Sequence, residues 1–403
     1  MQQEFPTFIE QAADTAAILQ SIWPDQDPAT IRYIVAPYRI CPLGAHVDHQ
    51  GGHVLGRTIN IGTVLGFAPV DGPRVQLRST AFDTSVNFTI GEAVDMSHWA
   101  RYAQAAALAL HERQPLSHGL IGAADGALIG AGLSSSASIG LAYLMALATV
   151  NDITLSPDEL VELDRQLEND HLGLQNGILD QSSIVYGRAQ SMTHIQVRDR
   201  SVTSVPDPAN MQAVSWLVVY SGVPRILTST DYNQRVEQCR QAAQWLDPDA
   251  CVLSDVPQEK FQQKQAAMPL SLRRRATHFY SEVNRVSQGV TAWEAGDFDQ
   301  FGALMNESCT SSVEQYECGH EAVISLQQIV SRAPGILGSR FSGGGYGGCV
   351  IALIDAAQLE PTSAAILDEY REQYPDWAQD AAVYWAQPAD GLREQFALPV
   401  LSL

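Results

Sequence analysis

Gly130-Ala131-Gly132-Leu133-Ser134-Ser135-Ser136-Ala137-Ser138 combines glycines with small hydroxyl residues, and the apolar run Ile139 to Val150 follows at once. That run reads as a buried helix. A glycine-rich loop entering a helix leaves several backbone N–H groups unpaired and pointing one way. With the positive end of the helix dipole, those donors make an anion site suited to phosphate. The hydroxyls of Ser134, Ser135, Ser136 and Ser138 add donors, and a serine can also ligate Mg²⁺. The same residues would equally serve as a serine-rich cap on a core helix. A P-loop is excluded, because that motif needs Lys directly after its last Gly and here Leu133 follows Gly132. The chain's only lysines are Lys260 and Lys264, far from any glycine-rich loop. Charge on a bound phosphate must then be met by Arg, backbone N–H groups and metal.

Three other segments could do chemistry. Residues 36–52 bring Arg39, His46, Asp48 and His49 into one glycine-punctuated loop. Asp48 and the histidines can bond vicinal sugar hydroxyls, and Arg39 can neutralise a phosphoryl group. Residues 168–181 hold Glu168 near a helix end and Asp180 after Asn-Gly-Ile-Leu. A carboxylate flanked by apolar residues suits a base or an orienting group, whereas Glu168 alone reads as part of a solvated helix face. Ser342-Gly343-Gly344-Gly345-Tyr346-Gly347-Gly348 formally matches a dinucleotide fingerprint. A strand follows it rather than a helix, so that reading fails.

The elements that must position these segments are legible in outline. Residues 5–22 and 99–111 have helical spacing, and Leu160, Leu163 and Leu167 place another helix after Asp158. Strands are expected at 31–36, 54–69, 75–90, 119–129 and 213–220, with a loop at 37–52. Helices are expected to dominate from 233 to 331, with a glycine-dense loop from Ser339 running into a strand at 349–354. The Pro- and Asp-rich stretch at 195–212 lacks periodicity and is the best boundary between two domains, 1–200 and 201–403.

Composition narrows the class. The chain has 403 residues, too many for one small domain. A net charge of −21 argues against a nucleic-acid surface. No run approaches a membrane span, and the N-terminus lacks the pattern of a signal peptide. Cysteines at 41, 239, 251, 309, 318 and 349 form no CxxC pair, which favours free thiols in a reducing cytoplasm. The expected state is a monomer or a homodimer.

Taken together, the four segments resemble the GHMP kinase superfamily, and within it the galactokinase branch. The loop at 36–52 is similar to that branch's sugar signature, and 130–138 to its ATP-binding Gly-Leu-Ser-Ser-Ser-Ala-Ser motif. Gly177-Ile178-Leu179-Asp180-Gln181 resembles the segment of the catalytic Asp, and 342–348, with Gly343, Gly344, Gly345 and Gly347, the third motif. The resemblance implies an α/β (α+β) fold of two domains. The N-terminal domain would carry a left-handed βαβ unit, the C-terminal domain would be ferredoxin-like, and the site would lie between them. It implies ATP and Mg²⁺ as cofactors. Asp180 would be base or orienting carboxylate for the C1 hydroxyl, Arg39 would stabilise the transferring phosphoryl, and Ser136 and Glu168 would hold Mg²⁺. Trp99 would pack on adenine, the loop from Gly130 through Ser138 would cradle the phosphates, and Asp48, His46, Gly177 and Tyr232 would contact the sugar.

One departure bears on substrate. The galactokinase signature reads Gly-Glu-His-Thr-Asp-Tyr-Asn, whereas this chain reads Gly44-Ala45-His46-Val47-Asp48-His49-Gln50. The missing Glu is the residue that contacts the sugar's C6 hydroxyl. Against a C6 carboxylate, a Glu about 4 Å away would cost roughly 4 kcal/mol at an effective dielectric near 20, close to a thousandfold in binding. Ala45 removes that repulsion, and His49 in place of Tyr could donate to an acid group. Residues 38–46 also resemble plant galacturonokinases. The expectation is therefore a kinase of galacturonic acid, with Arg57 and Arg225 as further candidates for its carboxylate. A neutral-sugar 1-kinase for galactose or arabinose, and a non-catalytic sugar and ATP sensor, are the alternatives; a nicotinamide oxidoreductase built on 343–348 is a more distant one.

Overall fold

The computed structural model describes residues 5–224 and 229–395, with the side chains of 229–231 left aside. In chain order the first elements are α1 (Phe8–Ile22), β1 (Arg32–Leu43), β2 (His53–Val70), β3 (Arg74–Ser79), β4 (Phe82–Thr89), α2 (Arg101–Arg113) and β5 (Gly119–Gly126). Next come α3 (Ser135–Val150), α4 (Pro157–Gln166), α5 (Leu179–Tyr186), β6 (Ser191–Gln196) and β7 (Ser201–Pro206). The remainder comprises β8 (Val214–Tyr220), α6 (Ser229–Leu246), α7 (Gln258–Lys264), α8 (Leu270–Glu294), α9 (Phe298–Glu314), α10 (Glu321–Arg332), β9 (Ile336–Phe341), β10 (Cys349–Asp355), α11 (Leu359–Gln373), β11 (Ala382–Ala386) and β12 (Arg393–Gln395). Among the described residues no helix is long and apolar enough to cross a membrane.

Two sheets result. The first runs β12-β1-β2-β5-β3-β4, with the β6–β7 hairpin attached to β2. Its one parallel pair, β3 with β5, is bridged in sequence by α2, which makes the expected βαβ unit. The second sheet is antiparallel in the order β11-β8-β10-β9. Numbered from its own first strand this is 4-1-3-2, the ferredoxin-like arrangement. Local chemistry starts the helices. Thr7 and Glu10 close a capping box on α1, and Ser156 and Glu159 do the same on α4, with Pro157 in its first turn.

Strand β1 is buried along almost its whole length because both of its faces are covered. Ile34 and Ala36 pack toward α2 and α3, while Tyr33 and Val35 pack toward α1. Farther along, Tyr38 and Ile40 join the core that holds Trp216 and Phe301, which come from beyond the first sheet. The strand thus carries Arg39 from one sheet to the junction with the other. Residues 37–43, expected as loop, continue this strand. Pro37 cannot donate to the ladder, and the register shifts between Pro37 and Arg39. The freed Arg39 N–H donates to the Leu133 carbonyl instead, 3.2 Å away.

Other expectations are corrected in the same way. Residues 75–90 form two strands that turn at Thr80-Ala81. Residues 195–212, expected to be aperiodic, include most of the β6–β7 hairpin, whose alternation is too short to register. The run from Ser339 is strand as far as Phe341 before the glycines begin.

Helix α3 is apolar nearly all round and is buried between α2 and the first sheet. Gly140 lets α4 come close, since a Cβ there would stand 2.4 Å from Asp164 Oδ1. Asp164 is fully buried, and neither of its oxygens has a hydrogen-bond partner. Burial, then the charges of Glu168 and Asp180, push its carboxyl well above the usual range. The folded chain therefore keeps a proton that the unfolded chain releases above about pH 4, and stability falls as pH rises from there toward the folded-state value. Asp164→Asn should melt higher than the unmodified chain at pH 8 by about 2 °C or more, with the gap closing toward pH 4. Calorimetry in metal-free buffer checks this, and an equal or lower melting temperature at pH 8 contradicts it.

Candidate active site

Two glycine loops meet back to back at the junction of the sheets. The first, Gly130 to Ser134, enters α3 with Gly132 at φ 77° and Ser134 at φ 66°. The second, Ser342 to Gly348, links β9 to β10 and has Gly343 at φ 65°. A Cβ on Gly132 would lie 2.8 Å from the Ser342 carbonyl oxygen, and one on Gly343 would lie 2.9 Å from that of Gly132. Both positions combine left-handed backbone with backbone contact, so only glycine fits. Holding Ser134, a non-glycine, in that region costs energy that the surrounding packing must supply.

Arg39 reaches across this meeting point. Its Nε donates to Asp180 Oδ1 at 2.8 Å, and its Nη2 stands 2.7 Å from the same oxygen. Its Nη1 donates to the Gly132 carbonyl at 3.2 Å and to Ser342 Oγ at 3.3 Å. Helix α5 presents Asp180 from its first turn, with a quarter of the side chain exposed. The acid is accessible while its cation is buried.

On one side of the pair lies a small polar cavity, walled by Arg39, Ala45, His46, Asp48, Gly177, Asp180, Tyr232, Gly343 and Gly344. Asp48 accepts from the Leu179 N–H at 3.2 Å. Burial, then the charge of Asp180, raises its carboxyl to about 6, against the pull of backbone N–H groups. On the other side a cavity of about 710 Å³ is bounded by Trp99, Phe82, Gly130, Ser135 and Ser136. Trp99 stacks on Phe82 at 5.5 Å and 8°, and its Nε1 donates to Thr84 Oγ1. Gly132, Ser134 and Asn176 border both cavities. The buried Ser134 Oγ has no hydrogen-bond partner. A donor held there between two cavities suits an anion that spans them.

Several expected residues face elsewhere. Ser138 is buried and donates to the Ala36 carbonyl at 2.7 Å, tying α3 to β1. Leu133 is core and contributes only its carbonyl, to the Arg39 N–H. Gly345 and Gly347 shape the second loop without bordering the small cavity. His49 stands behind the wall, its Nε2 3.0 Å from Tyr316 Oη and its Nδ1 3.0 Å from Gln50 Nε2. Burial first, then His278, lowers it to about 3, so it is neutral and offers no charge to an acid. Arg57 is fully buried and bidentate to Asp207, 2.6 Å on each arm. Arg225 lies outside the described residues.

The metal reading fits the residues present. Glu168 is buried in a π-helical turn, Leu167–His171, and accepts from Asn176 Nδ2 at 2.9 Å. Helix α4 meets α3 at Asp164 and Gly140; Glu168 follows Asp164 by one turn and Ser136 precedes Gly140 by one turn. Among the described residues no cluster of three His, Cys, Asp or Glu could hold a metal. A hydroxyl and one carboxylate are what Mg²⁺ takes when phosphate oxygens and water complete its octahedron. Cys41, Asn176 and Phe82 also border the cavities, beyond the residues expected from sequence. Asn176 carried a signal, in the Asn-Gly turn before Asp180.

Residues 101–188 match the GHMP kinases N terminal domain and residues 290–376 the GHMP kinases C terminal domain. A galacturonokinase of Arabidopsis thaliana is 39% identical over 88% of this chain and 90% of its own. A galactokinase of Roseiflexus is 32% identical over 89% and 91%. The crystal structure of Lactococcus lactis galactokinase complexed with galactose superposes with a TM-score of 0.88 at 27% identity, covering 94% of this chain and 98% of that one. A mevalonate kinase of Methanococcus jannaschii, at 16% identity and a TM-score of 0.64, shares the fold. The chain belongs to the GHMP kinase family, among its ATP-dependent sugar kinases.

Proposed function

We propose that this chain is a sugar-1-kinase that transfers the γ-phosphoryl of ATP to the anomeric hydroxyl of galacturonic acid. The reading rests on Ala45, whose methyl group borders the small polar cavity where the galactokinase signature carries a Glu. The likeness to a galacturonokinase at 39% identity supports it. Galactokinase relatives at 32% identity and below favour a second reading, a neutral-sugar 1-kinase.

The sugar would occupy the small cavity, with Asp48 and His46 bonding its hydroxyls and Gly177 and Tyr232 completing the wall. ATP would occupy the larger cavity, its adenine against Trp99 and its phosphates over the N–H groups of the Gly130–Ser136 loop. Asp180 takes, or orients, the proton of the C1 hydroxyl. Arg39 fixes that carboxylate and places a buried positive charge where the phosphoryl passes between the cavities. Ser136 and Glu168 would hold Mg²⁺, which neutralises charge on the β- and γ-phosphates. Alignment and charge stabilisation do most of the work in this reaction. The anomeric hydroxyl is the most acidic of a sugar's hydroxyls, which eases transfer of its proton to a carboxylate. In this reading the chain divides into two domains, with the break moved from residue 200 to beyond the β6–β7 hairpin, since β7 pairs with β6 in the first sheet, and it works in a reducing cytoplasm, where its six free cysteines persist.

ATP consumption measured with galacturonate and with galactose decides between the two readings, and a clear preference for galactose overturns the first. Asp180→Asn should fold and bind ATP yet lose turnover by roughly a hundredfold or more; substantial retained activity removes Asp180 from this role. Ala45→Glu should lower the kcat/KM ratio of galacturonate to galactose by roughly tenfold to a thousandfold, and an unchanged ratio undercuts the charge argument.

A further inference from the structure

Behind Ala45 lies a buried ionic cluster that the reaction just described does not use. Glu282 of α8 is fully buried, and its Oε1 accepts from the N–H of Gly44 at 2.8 Å and from Ser308 Oγ. Two guanidiniums flank it. Arg285 Nε stands 2.7 Å from Glu282 Oε2, and Arg340 Nη1 stands 3.6 Å from Oε1. Arg340 is fully buried and donates to Ser308 Oγ at 2.6 Å and to the Phe341 carbonyl at 3.2 Å. His278 adds no charge; it is buried, with Nε2 3.0 Å from the Ala45 carbonyl oxygen. Two cations therefore surround one anion against the backbone of residues 44 and 45. A carboxylate at position 45 would balance the surplus, and the methyl group of Ala45 leaves it uncompensated.

The surplus is felt inside the small cavity. Cys41 borders that cavity. Burial dominates its thiol, pushing it up to about 12; of the charges acting on it, those of Arg340 and Arg39 outweigh those of Glu282 and Asp180. Arg39 is already matched by Asp180 and Asp48 adds a further anion to the cavity wall, so the cation left to meet a sugar acid is that of the cluster behind Ala45. An uncompensated charge in a low-dielectric interior is costly, and an anion brought close to it relieves that cost.

We propose that Arg340 and Arg285, acting through the wall at Ala45, determine specificity for a sugar carrying a carboxylate at C6. The acid is recognised by positive charge behind the wall, fully buried at Arg340 and partly exposed at Arg285 beside a cleft that also carries Glu307 and Glu314, not by a guanidinium exposed in the cavity. This rests on the uronic acid reading above and deepens it.

The test measures dissociation constants for galacturonate and galactose by calorimetry on the full chain. Arg340→Gln and Arg285→Gln should each weaken galacturonate relative to galactose by roughly tenfold or more, and rescue should follow in Arg285→Lys, which restores the charge. Folded variants with a preference unchanged within about twofold overturn the proposal. The unmodified chain supplies a second measurement that needs no variant. Its preference should hold from low salt to about 0.5 M salt, because buried charges are little screened. A preference that collapses with salt places the cation in solvent and also overturns the proposal. If the unmodified chain does not bind galacturonate, the uronic acid reading fails together with this one. If it binds galacturonate but the arginine variants keep the preference, only this one fails.

Discussion

The guanidinium of Arg39 joins three segments that the sequence keeps far apart. It donates to Asp180 on α5, to the carbonyl of Gly132 in the first glycine loop and to Ser342 in the second. Nε and Nη2 serve Asp180 while Nη1 serves both Gly132 and Ser342, a spread of donors that a planar, permanently charged group can offer and an ammonium cannot. The side chain is almost completely buried, so the desolvation cost of its charge must be met by those partners. The two loops must in turn come within backbone contact for the carbonyl of Gly132 and the hydroxyl of Ser342 to share one guanidinium. That requirement explains the glycines at 132 and 343, and the bulge after Pro37 that turns the Arg39 N–H toward Leu133.

Around this centre the molecule separates two kinds of surface. The larger cavity offers an aromatic pair and a wall of glycines and serines, suited to a flat base with a phosphate tail. The smaller one is polar and holds two carboxyl groups, Asp48 and Asp180, in different surroundings. Asp180 has its arginine, while Asp48 is half-buried and desolvation raises its carboxyl to about 6. Two acids set apart by environment can take different roles within one site. The wall at Ala45 is the third feature, thin in side chain and backed by Glu282, Arg285 and Arg340.

The site residues legible in sequence were those whose neighbours constrain them. Gly132 lies in the loop that enters α3 and Asp180 in the first turn of α5, both local features of the chain, whereas Trp99 lines a cavity only through its stacking on Phe82. Ser138 and His49 had the right type and the right neighbourhood but face away. Orientation at such positions depends on helix phase and on distant partners, Ala36 for the serine and Tyr316 for the histidine. Arg57 was a plausible contact for an acid only because Asp207, 150 residues later, could not be seen to hold it.

From the residues alone came the phosphate loop, the absence of a P-loop lysine, the likeness to the GHMP kinases and the lost acid at position 45. Each of these is a property of short runs, where spacing along the chain equals spacing in space. Tertiary structure decided the rest: that β1 carries Arg39 to the meeting of two sheets, that Asp164 is sealed beneath α3, and that α8 and β9 place two arginines behind Ala45. Those relations join residues up to three hundred positions apart. Their energies depend on burial and on charge compensation, and neither exists until the chain is packed.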